Sequence, residues 1–178
     1  MPADGAFFRR WEPDLHQNNP LKLLVTSVLM LVAGVVGAQE QPSSAMMEPV
    51  RALAVFMSTL RPHEHASMLA TQGLCIVENF APFLFCGPGA AGAWEKGFRA
   101  HAAEEDLSEL AAHFAEAHDF STAGDRAYFS LPTTWTGFTH GRSFEEHGAW
   151  AFVVQRHGTS WRIIGYGWAV YAYSEASR

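Results

Sequence analysis

The chain has 178 residues, with 12 Lys and Arg against 18 Asp and Glu and a formal net charge of −6. That length suffices for one domain with a real core. An acidic chain without a basic run or stripe is a poor nucleic-acid binder, because phosphate contacts supply most of that affinity.

Leu21 to Ala38 is an apolar run broken only by Lys22, Thr26 and Ser27, with Arg9 and Arg10 ahead of it and Val36-Gly37-Ala38 at its end. The pattern predicts a secretory signal peptide over residues 1–38, cleaved before Gln39. The competing reading is an uncleaved membrane anchor over residues 21–38, since the run approaches the roughly 18 residues at which a spanning helix becomes a candidate. Cleavage implies a periplasmic or secreted protein, and only the uncleaved form would have a membrane as partner.

Residues 39–47 are small and polar and read as a linker. Glu48-Pro49 opens a helix, and Val50, Leu53, Ala54, Phe56, Met57 and Leu60 give it an apolar face. Arg61-Pro62-His63 stops it, and Glu64 to Ala70 is predicted as a short second helix. Leu74 to Val77 is a short strand, Phe80-Ala81-Pro82 turns the chain, and Phe83 to Cys86 returns. A two-residue turn there places Cys75 opposite Cys86. A disulfide is feasible if that pair is of the closer, non-hydrogen-bonded type, and two buried free cysteines are the alternative. After the Gly87-Pro88-Gly89 loop, Ala90 to about Ala103 is a helix carrying Trp94 and Phe98. Asp106 to His118 favours helix by propensity.

From Gly124 onward the chain reads as three strands. The first starts at Gly124 to Phe129, and Phe144 to Gln155 and Trp161 to Tyr171 follow. They are separated by turns at His140-Gly141-Arg142 and His157-Gly158-Thr159-Ser160. Five tryptophans lie between Trp94 and Trp168. They either fill the core or line a pocket.

Ile76-Val77-Glu78-Asn79-Phe80-Ala81-Pro82-Phe83, Gly87-Pro88-Gly89-Ala90 with Trp94, Gly124-Asp125-Arg126-Ala127-Tyr128 and Trp161-Arg162-Ile163 through Trp168 occur in an order that resembles the nuclear transport factor 2-like superfamily. The resemblance is to its SnoaL-like and ketosteroid-isomerase-like branch, over residues 48–175. It implies an α+β fold, a cone-shaped curved mixed sheet with N-terminal helices packed over it, and makes Asp106 to His118 a strand. It also implies a homodimer formed through the outer sheet face. The branch's catalytic carboxylate matches Asn79, its first-helix tyrosine falls near Phe56, and its strand aspartate falls on Trp150. All three groups are absent, which argues against steroid isomerisation by that route.

Period two along the strands turns Trp150 inward with Phe144, Glu146, Gly148, Phe152 and Val154, and turns Ile164, Tyr166 and Trp168 inward from the last strand. Asn79, Trp94, Trp150, Phe152, Tyr166 and Trp168 are thus the candidate ligand-binding set, suited to a small apolar or aromatic molecule. Glu78, Glu146 and Tyr166 are the candidate catalytic groups. With Asn79 inside, alternation sends Glu78 to the surface, and of Glu146 and His147 only one can face inward. The leading expectation is an exported ligand-binding domain. An isomerase, dehydratase or cyclase and a structural dimerisation module are the alternatives. No metal is expected, because the nine histidines, with His63 and His65 beside Glu64, show no repeated ligand spacing. No cofactor is expected either, since no glycine-rich phosphate loop follows a strand.

Overall fold

A computed structural model describes residues 40–60 and 68–176. The signal or anchor segment over 1–38, and His63 and His65, lie outside the described residues. Ser43 caps the first helix by accepting from Met46 N at 3.3 Å, so α1 runs Ser44–Thr59 and starts before Glu48. The residues read as a linker therefore already include its first turn. Pro49 sits in the second turn rather than the first. Met47, Val50, Leu53, Phe56 and Met57 are buried along one face, the 3.6-residue stripe expected of a helix lying on a core.

Of the second predicted helix, residues 64–67 lie outside the described residues, and the remainder is not helical. Leu69 bridges to Ile163, and Ala70 N donates to Ile163 O at 2.9 Å. Strand-like pairing at the sheet edge takes this segment's backbone groups instead.

β1 (Cys75–Val77) and β2 (Leu84–Cys86) form the predicted hairpin, in the register Cys75–Cys86, Ile76–Phe85, Val77–Leu84. Gly87 N donates to Leu74 O at 3.0 Å and Glu78 N to Phe83 O at 3.0 Å. Those bonds flank Cys75 and Cys86, which makes them a non-hydrogen-bonded pair, the closer type. They form a disulfide, with Cα atoms 4.1 Å apart.

α2 (Ala90–Glu104) starts after Gly89, whose φ of 79° suits glycine. It buries Ala90, Trp94, Phe98 and Ala102 at intervals of four. The stretch after it is strand despite its alanines and glutamates: β3 (Ser108–Phe114), then a separate strand β4 (His118–Ala123), both paired with β5 (Arg126–Thr139). An available edge and a core to cover outweigh a propensity of tenths of a kcal/mol per residue. β6 (Arg142–His157) and β7 (Ser160–Glu175) complete the sheet.

The sheet order is β2-β1-β7-β6-β5-β3, with β4 also on β5. β1 runs parallel to β7 and the other pairs are antiparallel. Among the described residues the architecture is thus α+β, two helices on a curved, open, mixed seven-stranded sheet that forms a cone. Its inner face is set by period two: Ala127, Phe129, Leu131, Thr133 and Trp135 on β5, then Gly148, Trp150, Phe152 and Val154 on β6. On β7 the alternation breaks. A bulge opposite Val153 and Val154 pairs them with Gly165 and Ile163. Ile163 therefore faces the core with Tyr166 and Trp168, and the predicted inward Ile164 is displaced by that extra residue.

Candidate functional site

The site starts from the short hairpin. Leu74, Ile76, Glu78 and Phe80 are buried, and Cys75, Val77 and Asn79 are exposed. Ile76 and its partner Phe85 both insert into the core, and that fixes the phase of the alternation. The expected orientation is thereby reversed. Glu78 occupies the inner place, and Asn79 only borders the cavity from the exposed side. A carboxyl group is present at the site after all, one residue before the position that the resemblance implied.

Glu78 is 5% exposed. Trp94 Nε1 donates to its Oε1 at 2.9 Å, and the Tyr166 hydroxyl donates to the same oxygen. Oε2 has no hydrogen-bond partner among the described residues. Burial pushes the Glu78 carboxyl up to about 7, against the pull of its two donors, and the nearby Glu146 charge adds to the rise. The Tyr166 hydroxyl is raised well above its ordinary range, first by burial and then by Glu78.

A cavity of about 230 Å³ lies over Glu78 within the cone. Its apolar wall includes Met57, Phe98, Leu110, Trp135, Trp150 and Trp168. Its polar groups are Glu78, Asn79, His101, Glu105, Thr139, Glu146 and Tyr173, with no Lys or Arg among the described lining residues. Trp94, Phe152 and Tyr166 are buried behind this wall rather than in it. Of the predicted ligand set, Asn79, Trp150 and Trp168 thus border the cavity, while Trp94 and Tyr166 serve Glu78.

β1 lies beside β7 with Val77 opposite Gly167, which brings Glu78 alongside Trp168. Trp168 Nε1 donates to Glu146 Oε1 at 3.2 Å. Burial also raises the Glu146 carboxyl. Its neighbour His147 is turned to the other face, where Nδ1 meets Thr134 Oγ1 at 3.0 Å and Nε2 meets Glu145 Oε1 at 2.7 Å. Among the described residues, no group of three His, Cys, Asp or Glu is placed to hold a metal ion.

His101, Trp135 and Thr139 are cavity residues that the sequence reading missed. Trp135 carries a signal, as the last large residue of the alternating β5 run. His101 lies one turn beyond Phe98 on the same face of α2, and its ring stacks on Phe80 with centroids 5.1 Å apart.

No protein-family model and no curated protein matches the sequence. Solved structures do match in shape. A hexachlorocyclohexane dehydrochlorinase from Novosphingobium barchaimii superposes with a TM-score of 0.63 at 8% identity, over 75% of this chain and 88% of that one. A candidate scytalone dehydratase from Novosphingobium aromaticivorans gives 0.61 at 9% identity, over 75% and 87%. A nuclear transport factor 2-like superfamily protein from Salmonella enterica gives 0.59 at 12% identity, over 71% and 88%. Similarity at such identities concerns the backbone path alone, and with the cone, the helices and the strand order it establishes that this chain has the nuclear transport factor 2-like, SnoaL-like fold.

Proposed function

We propose that the protein is an enzyme that binds a small, neutral, largely apolar or aromatic molecule in the cone and transfers a proton on it, as an isomerase or dehydratase does. The observation that carries this reading is Glu78. Its Oε1 is held by two buried donors, its Oε2 is left for a molecule in the cavity, and its pKa of about 7 lets it exist in either form near neutral pH. A group with no catalytic task has little reason to be buried as an acid among aromatics. The absence of Lys and Arg among the described lining residues disfavours an anionic ligand, and the aromatic wall supplies apolar area. The dehydratase and dehydrochlorinase among the structural neighbours support the reaction class by analogy of fold only.

The test uses 5-nitrobenzisoxazole, a small neutral aromatic whose ring opens when a base removes one proton from carbon. The protein is expected to accelerate the opening over acetate at equal concentration, and the E78Q/E146Q double variant is expected to lose that acceleration. No acceleration, or a fully active double variant, sinks the proposal.

We further propose export with cleavage before Gln39. The charge and apolar pattern of residues 1–38 supports it, and a disulfide suits an oxidising compartment. The intact mass of the exported protein checks it, and a full-length product would contradict it.

A further inference from the structure

We infer a division of labour between the two cavity carboxyl groups: Glu146 takes the proton from substrate carbon, and Glu78 is the acid that gives one to the departing oxygen. This rests on the proton-transfer reading above and reverses the roles that the depth of Glu78 first suggests.

The argument is geometric. Trp94 Nε1 and the Tyr166 hydroxyl both donate to Glu78 Oε1. In the neutral form the proton therefore sits on Oε2, the oxygen left toward the cavity, where it is a hydrogen-bond donor to whatever is bound. Glu146 is half-buried, with Trp168 Nε1 as its donor. It stands opposite Tyr173 in the β6–β7 register, and Tyr173 is exposed, as Glu105 on the same cavity partly is. An ion costs more in the drier place. Two carboxylates on one small cavity also repel, so a single proton shared between them settles on the deeper group. Burial raising Glu78 to about 7 agrees with this order. The other titratable groups on the cavity are His101 on α2, Glu105 just past it and Tyr173 on β7, with Tyr166 behind Glu78.

The step balances as an elimination. The carbon–hydrogen bond breaks, its proton goes to Glu146, and its electron pair becomes the new π bond. The bond to the departing oxygen breaks with its pair on oxygen, and that oxygen takes the proton from Glu78. Turnover leaves Glu146 neutral and Glu78 ionised, and exchange with water restores the starting pair.

Two measurements decide it. In a ¹³C NMR titration of side-chain carboxyls in the unmodified protein, Glu146 is expected to ionise at lower pH than Glu78. With 5-nitrobenzisoxazole, whose departing phenolate needs little help from an acid, E146Q is expected to lose at least tenfold more rate than E78Q. Glu78 ionising first, or E78Q losing more than E146Q, overturns the assignment while leaving proton transfer intact. Full activity in the double variant overturns both. The titration needs no variant, so it stands even where a substitution impairs folding.

Discussion

Glu78 concentrates the cost and the use of this site in one side chain. Its folded pKa of about 7 lies above the ordinary 4.5, so the native state holds a proton that the unfolded chain releases between those values. The stability this contributes is complete below about pH 4.5 and is lost as the pH rises through about 7, a total of about 3 kcal/mol for a shift of this size. E78Q keeps an acceptor for Tyr166 and Trp94 and cannot ionise. Urea unfolding from pH 4 to 8 is therefore expected to show a decline in the native protein that is clearly smaller in E78Q, where the raised Glu146 carboxyl remains. An equal decline in both would place the titration elsewhere. Tyr166→Phe removes a donor that favours the carboxylate, so it is expected to move the Glu78 pKa higher still, read in the same carboxyl NMR titration.

Two elements set the position of the acids. The first is the β1–β2 hairpin, with only three residues per strand and one disulfide. Closing so small a loop is worth at most about 3 kcal/mol through the unfolded state. Reduction, or Cys75→Ser with Cys86→Ser, is expected to lower stability by up to that amount in urea melts, and no change would show the hairpin to be held by packing alone. The second is β6 at Gly148, just past a register shift opposite β7. A Cβ there would collide with the Trp168 ring and lie 2.8 Å from Ala169 O. Gly148→Ala is therefore expected to push the indole away from Glu146, at a cost of about 1–3 kcal/mol. Trp fluorescence and urea melts report both effects, and an unchanged spectrum with native stability would show the ring free to yield.

At the scale of the molecule, the cone both packs a core and leaves a cavity. Trp150 is 2% exposed and contacts Phe152, Tyr166 and Trp168, with ring centroids 5.4, 4.9 and 4.6 Å away. It nevertheless borders the cavity. Trp150→Ala is expected to cost about 3–5 kcal/mol in denaturant melts, as for a packed aromatic. A loss below about 1 kcal/mol would mean that the ring lines open space and little else. Curvature makes the dual role workable, because inward side chains of neighbouring strands meet at the closed end and separate at the mouth.

The sequence by itself determined the strands from Gly124 onward and, given a two-residue turn, the placing of Cys75 opposite Cys86, because these follow from local alternation and turn length; that the two are bonded rather than free was decided by the folded hairpin. It also carried the cone, through motif order rather than any single residue. Tertiary structure ended the strand that motif order predicts over residues 106–118 at Phe114 and started β4 separately at His118, where pairing with β5 outweighs the weak helical preference of the stretch. It decided that residues 68–70 pair with β7, and that Ile163 rather than Ile164 faces inward, because a bulge shifts the phase and no local signal announces it. The same holds for Glu78. Whether Glu78 or Asn79 looked into the cone was one residue of phase, and that phase was set by Ile76 and Phe85 inserting together into the core, a contact made across the fold and invisible along the chain.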